Sequence, residues 1–261
     1  MLHEVSFTSY NERDKVQAWI YVPACKPNGI VQLIHGFGEH SRRYIHMISA
    51  FLDAGYIVAA DDHVGHGKTA MVNNVWGDWG DKGYHTMMED EHTLKKIVCE
   101  KYPNLPYFLF GHSMGSMIVR KYIAKYDNKI DGLIVCGSPS KNVNAKLGLA
   151  IVKTMELFKG EKYRSKFVKN LMFNEYDKDD KLKNSWICNN REIVEKYNAD
   201  ELCQYDYTLN GFENIIRLMI DIYNPKIYRK NNLKLHNINN KDLFNLFGIL
   251  LNRNGNLNEI K

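Results

Sequence analysis

The segment that most constrains how this chain can fold is Gly111-His112-Ser113-Met114-Gly115. It stands between two segments of opposite periodicity. Tyr107–Phe110 before it is short and apolar, as a strand buried on both faces must be. Met114–Tyr126 after it places Met117, Ile118 and Tyr122 at helical spacing. The chain must therefore pass from strand to helix across Gly111-His112-Ser113, with the turn at Ser113. Glycines on either side of that residue relieve the crowding such a turn creates.

The rest of the first half repeats the alternation. Val5–Tyr10 and Val16–Val22 flank a polar Asn11–Asp14 segment and predict a hairpin. Ile30–Ile34, Tyr56–Ala60 and Leu133–Cys136 predict further strands. Tyr44, Met47, Ile48, Phe51 and Leu52 predict a helix between the first two of these. Thr86-Met87-Met88-Glu89 fits a capping box that opens a helix through Val98. Strand and helix in alternation predict an α/β domain, a mostly parallel sheet covered by helices on both faces. The expected organisation is a core over 1–138, an inserted helical cap or lid over 139–210, and a return helix with an atypical tail over 211–261.

Composition narrows the function classes. The chain has 261 residues, is 44% hydrophobic and 25% charged, and carries a formal charge of +5. Residues 1–223 hold 28 basic and 28 acidic side chains, so the excess lies in the last 38 residues. A basic tail suits nucleic acid or anionic lipid, but without interleaved aromatics or a known motif nucleic acid is not an expected partner. Five cysteines at 25, 99, 136, 188 and 203 are odd in number and lack C-x-x-C spacing. They predict reduced thiols in a cytoplasmic protein. No signal peptide and no membrane-spanning run is expected.

The turn at Ser113 carries chemistry as well as geometry. A serine hydroxyl is a poor nucleophile until a sharp turn exposes it and a base takes its proton. The helix that begins at Met114 favours negative charge developing at its N-terminus. His35-Gly36-Phe37-Gly38 directly follows the strand Ile30–Ile34. An oxyanion hole needs one backbone N–H after the nucleophile and one from such a loop, which assigns Met114 and Phe37. Asp62-His63-Val64-Gly65-His66-Gly67 has the residue types of a metal site, but its glycines favour a tight turn at the rim of the active site, and neither metal nor cofactor is expected. The acidic pairs Asp61/Asp62 and Glu89/Asp90 read as turn and helix-start residues.

Together these residues resemble the monoacylglycerol lipase/lysophospholipase branch of the α/β-hydrolase superfamily, which is serine aminopeptidase S33-like. The resemblance runs through His35-Gly36-Phe37-Gly38-Glu39-His40-Ser41 with Arg43-Tyr44, Asp62–Gly67, Tyr102–Pro106 and Gly111–Ser116, and on to Leu202-Cys203 and Tyr207–Phe212. It covers roughly residues 5–223. It implies an α/β-hydrolase fold with an inserted helical cap. It also implies a substrate with one acyl chain in ester linkage, such as a monoglyceride or lysophospholipid, hydrolysed through an acyl-enzyme on Ser113. Leu147–Phe158, with Leu147, Ile151 and Met155, then reads as the acyl-chain lining or a transient contact with a membrane surface. It reads equally as a cap helix packed on the core.

The second half departs from that pattern. The family order is Ser, then Asp or Glu, then His, with the acid in a Gly-x-x-Asp-Pro-type turn beyond the cap. Neither partner is identified here. Only His236 follows Ser113, which makes it the sole candidate base on that side; Asp206 and Asp221 fall in a cap motif and a helix, and Asp242 follows His236. Asparagine makes up 11 of the last 38 residues against 16 of the preceding 223. The shift predicts truncation or an out-of-frame tail from about residue 224, with the C-terminal strands incomplete. Loss of a triad member costs roughly 10⁴ to 10⁶ in turnover. Four readings stay open: an active esterase or lipase, a catalytically inactive acyl-lipid binder, a gene remnant, or a peptidase or haloperoxidase on the same scaffold.

Overall fold

The computed structural model describes residues 1–126, 130–173 and 182–224. Six strands form one sheet: β1 Leu2–Thr8, β2 Lys15–Tyr21, β3 Gly29–Ile34, β4 Tyr56–Asp62, β5 Tyr107–His112 and β6 Gly132–Cys136. Their spatial order is β1-β2-β4-β3-β5-β6. The hairpin β1–β2 is antiparallel and joins β4 antiparallel, whereas β4, β3, β5 and β6 run parallel. Asn11 closes the hairpin: its Oδ1 accepts from the amides of Arg13 at 3.0 Å and Asp14 at 2.9 Å, the local bonding that makes Asn a turn residue.

Period-two alternation divides the core between the two faces. Val31 and Leu33 of β3, Val58 and Ala60 of β4 and Phe110 of β5 pack with Ile48 and Phe51 of α1, Ile45–Asp53. Ile30, Ile34, Ile57, Ala59 and Leu109 point to the other face. There they meet α3 Tyr84–Lys101, α4 Met114–Tyr126 and α8 Leu209–Ile222. Burying each large apolar side chain contributes about 1.5–3 kcal/mol. A short helix, α2 Gly67–Asn73, leaves the Asp62–Gly67 turn. Helices α5 Ala145–Lys159, α6 Lys166–Phe173 and α7 Arg191–Ala199 lie between β6 and α8, with no strand among the described residues there. No helix among the described residues is long and apolar enough to cross a membrane. All five cysteines are free. The expectations for the tail, including His236, fall outside the described residues.

Two local expectations are corrected. Helix α3 begins at Tyr84, so Thr86 lies inside it and its hydroxyl is buried without a partner. The cap comes instead from Asn214 of α8, whose Oδ1 accepts from the Tyr84 amide at 3.0 Å. Asp61 and Asp62 are fully buried strand residues rather than turn residues, and Glu89 and Asp90 lie well inside α3. Asp62 accepts from the Ser41 amide and hydroxyl and from the Lys68 amide, at 2.9, 2.7 and 2.6 Å.

The chain leaves β3 toward β4 on one side, and the next parallel strand, β5, lies on the other. Such a switch point opens a crevice at the carboxyl ends of β3 and β5. The two ends meet closely. A Cβ on Gly115 would lie 2.1 Å from the Ile34 carbonyl oxygen and 2.7 Å from that of His35. Gly115→Ala is therefore expected to cost on the order of 3 kcal/mol, measured by urea unfolding followed by circular dichroism. A loss below about 0.5 kcal/mol would show that the two ends are not held in this contact.

Candidate active site

Ser113 is the single residue between β5 and α4, and it is left-handed, with φ +52°. A non-glycine residue in that region is strained and is held there by its surroundings. Its amide donates to the Cys136 carbonyl at the end of β6, at 2.9 Å. Its carbonyl accepts from the Ser116 amide at 3.0 Å. Gly111 permits the turn because a Cβ there would sit 2.4 Å from the Gly115 carbonyl oxygen. Met114 is the first residue of α4, so its N–H has no partner within the helix.

The loop after β3 lies directly against this turn. A Cβ on Gly36 would be 3.2 Å from Ser113 Cβ. Gly36 donates its amide to Glu39 Oε1 at 2.7 Å, and Gly38 donates to the Tyr207 hydroxyl at 2.6 Å. Between them, the Phe37 amide has no acceptor among the described residues. The Phe37 ring stacks on Tyr207 with centroids 3.7 Å apart. Tyr197 donates to the Gly38 carbonyl at 2.9 Å. Burial lowers the pKa of His66 to about 3. Neutral His66 donates from Nδ1 to the Val64 carbonyl, which leaves Nε2 to accept from Tyr207 at 2.8 Å. The Asp62–Gly67 turn thus supports the loop from behind.

A second chain of bonds begins next to the serine. The Tyr44 hydroxyl donates to Glu39 Oε1 at 2.6 Å and lies 2.7 Å from His112 Nδ1. With its proton on Glu39, Tyr44 accepts from His112 Nδ1–H, and His112 Nε2 faces Gly137. A Cβ on Gly137 would lie 3.2 Å from that Nε2. Burial works to raise the Glu39 pKa. The bonds from His112, Tyr44 and Gly36 outweigh it and hold the carboxyl below its usual range. Among the described residues no side chain hydrogen-bonds to Ser113 Oγ.

Ser113, His112 and Phe37 open onto a cavity of about 680 Å³. Phe173, Trp186, Ile187, Tyr205, Tyr207 and Phe212 supply most of its apolar wall, with Lys169 and Asn170 at its polar side. Leu147, Ile151 and Met155 are not among the described residues lining it. They belong to α5, which packs on α8. Met155 and Leu149 turn toward the core, whereas Leu147, Leu157 and Phe158 are 64%, 83% and 81% exposed. The bonds of Tyr207, Glu39 and His112 were not readable in advance. Glu39, Tyr44 and Tyr207 stand within the motifs quoted above, but spacing does not reveal a contact such as Gly38 with Tyr207.

The model of the serine aminopeptidase, S33 family matches residues 25–227. The monoacylglycerol lipase of Mycolicibacterium smegmatis is 31% identical over 186 residues, which is 71% of this chain and 60% of that protein. The monoglyceride lipase of Homo sapiens is 30% identical over 182 residues, 69% of this chain and 54% of that one. Among solved structures, a highly thermostable carboxyl esterase from Bacillus coagulans in complex with glycerol is similar at 46% identity and a TM-score of 0.79. That match covers 84% of this chain and 72% of the esterase. The matches span between half and two thirds of the curated relatives' own length. Family model, sheet order and solved neighbour agree: the chain belongs to the serine aminopeptidase, S33 family, on the monoglyceride lipase-like branch of the α/β-hydrolase fold.

Proposed function

We propose that this chain is a serine hydrolase of carboxylic esters, with Ser113 as nucleophile and a single-chain acyl ester, a monoglyceride or lysophospholipid, as substrate. The observation that carries the reading is the left-handed Ser113 lying against a loop whose Phe37 amide has no acceptor among the described residues. Ser113 Oγ attacks the ester carbonyl carbon, and its proton passes to a base. The carbonyl oxygen becomes an oxyanion and takes the N–H groups of Phe37 and Met114. Collapse expels the alcohol, protonated by the same base, and leaves an acyl-enzyme. Water attacks that ester and releases the fatty acid. The names of the relatives, monoacylglycerol lipase and a carboxyl esterase holding glycerol, favour this substrate class.

The acyl chain has an apolar wall to occupy in Phe173, Trp186, Ile187 and Phe212. Leu147, Ile151 and Met155 instead lie on a helix whose outer side carries the exposed Leu147, Leu157 and Phe158. Phe167 and Leu171 of α6 are exposed as well. An apolar face on the helices beside the cavity suits transient contact with a lipid surface, where such a substrate resides.

A second reading is a catalytically inactive acyl-lipid binder. It is favoured by the lack of any described side chain bonded to Ser113 Oγ, and by the sequence holding only His236 after Ser113. A fluorophosphonate probe separates the two. Labelling of the folded chain, abolished in Ser113→Ala, is the expected result; a folded chain that binds lysolipid but does not label would leave the binder. Unchanged ester hydrolysis in His236→Ala would remove His236 as the base.

Glu39 fixes the turn that presents the Phe37 amide. Because its folded pKa is depressed, its stabilising contribution is complete above the ordinary carboxylate range, about 4.3, and is lost as pH falls through the folded value. Glu39→Gln is expected to cost about 1–3 kcal/mol at pH 7, with the deficit shrinking below pH about 4. A deficit independent of pH would contradict the ionised assignment. For the outer face, Leu157→Ser with Phe158→Ser is expected to weaken co-sedimentation with lipid vesicles several-fold. Equal sedimentation of variant and parent would dismiss that contact.

A further inference from the structure

Away from the serine, a second group of chemically capable side chains is buried between β4 and α3. Asp61 is the penultimate residue of β4, His63 directly follows the strand, and Glu91 projects from α3; each is at most 1% exposed. His63 Nδ1 lies 3.5 Å from Asp61 Oδ2 and 3.4 Å from Glu91 Oε1. One ligand atom from each lies within 4.8 Å of the others. Among the described residues, both oxygens of Asp61, the Nδ1 of His63 and the Oε1 of Glu91 have no partner within hydrogen-bonding distance and geometry. Buried carboxylate oxygens left unpaired beside an imidazole nitrogen are costly unless positive charge stands among them.

Two of the three groups are aimed by bonds from behind. His63 Nε2–H donates to the His35 carbonyl at 3.3 Å, which directs the Nδ1 lone pair at the carboxylates. Gln32 donates its amide to Glu91 Oε2 and, at 3.0 Å, to the Glu91 carbonyl, leaving Oε1 to face His63. The Tyr107 hydroxyl donates to Gln32 Oε1 and so fixes which way that amide points. A ligand imidazole held by a backbone carbonyl, and a ligand carboxylate held by an amide, are the usual outer partners of a bound metal. The neighbouring acids are otherwise engaged. Asp62 is held by Ser41 and Lys68, and Asp90 accepts from Ser9 Oγ at 2.7 Å and the Tyr10 amide at 2.6 Å. The other such group among the described residues, His40 with Asp200 and Cys203, closes on itself through a hydrogen bond between His40 Nε2 and Asp200 at 2.8 Å.

We propose that Asp61, His63 and Glu91 form a structural binding site for a divalent cation, zinc. Separations of 3.4 and 3.5 Å are long for hydrogen bonds. They match the edge of a tetrahedron whose metal bonds are about 2.0–2.1 Å. Two carboxylates and a neutral imidazole leave a charge that a divalent ion balances, and one imidazole with two carboxylates suits zinc. The site reaches the Phe37 loop in two bonds: His63 holds the His35 carbonyl, and His35 Nδ1 donates to the Gly36 carbonyl at 2.8 Å. The ion would brace the strand end from which that loop leaves. This inference stands independently of the reading of Ser113.

Full burial means that the ion enters as the chain folds. Protein without an affinity tag, expressed in zinc-supplemented medium and desalted, is analysed by inductively coupled plasma mass spectrometry. Unfolded protein is also refolded with zinc or with a chelator and its melting temperature compared. About one zinc per chain is expected, with a melting temperature several degrees higher after refolding with zinc. Glu91→Gln should hold less than about a tenth as much zinc and melt alike under both conditions. A wild-type chain that carries no divalent metal, and melts at the same temperature after either refolding, overturns the proposal. In that case the carboxyl groups share protons with His63. The wild-type comparison decides the matter even if the variant does not fold.

Discussion

The contact between Gly115 and the carbonyls of Ile34 and His35 is the constraint on which the rest of this structure depends. It brings the N-terminus of α4 against the end of β3 with no room for a side chain. That approach leaves one residue, Ser113, to make the turn from β5, and forces it into the left-handed region. It also brings Gly36 over Ser113, with a Cβ there only 3.2 Å from Ser113 Cβ. The oxyanion hole proposed at Phe37 and Met114 would need this kind of rigid backbone packing rather than mobile side chains.

Around this contact the polar groups divide into two sets. Tyr207, Glu39, Tyr44 and His112 hold the loop from the cavity side, through bonds of 2.6 to 2.7 Å. His35, His63 and His66 hold it from the interior, where burial keeps His35 and His66 neutral. Neutral imidazoles have a donor and an acceptor nitrogen, and both His35 and His66 use the two in a defined sense. The loop is therefore clamped from two directions, which explains why the Asp62–Gly67 segment lies near the site without facing the cavity.

What the sequence revealed depended on how local each signal was. The strands and α4 were legible because period-two and period-3.6 patterns are written within a few residues. The turn at Ser113 was legible for the same reason. Asp61 and Asp62 were misread because buried acids and turn acids look alike in sequence; only the Ser41 and Lys68 bonds show that Asp62 belongs inside. The start of α3 was misplaced because its cap is Asn214, remote in the chain. Leu147, Ile151 and Met155 form an apolar helix, but periodicity does not say which wall such a helix meets. Among the described residues, Phe173, Trp186 and Ile187 line the cavity beside Ser113.

The central claim is that the Phe37 and Met114 amides receive the oxygen of a group bonded to Ser113. A crystal structure of the chain after reaction with an alkyl phosphonate tests it most directly. The account predicts phosphorus bonded to Ser113 Oγ, one phosphonyl oxygen about 2.7–3.1 Å from both amide nitrogens, and the alkyl chain along Phe173 and Trp186. A phosphonyl oxygen turned toward solvent, with both amides left unpaired, would contradict it.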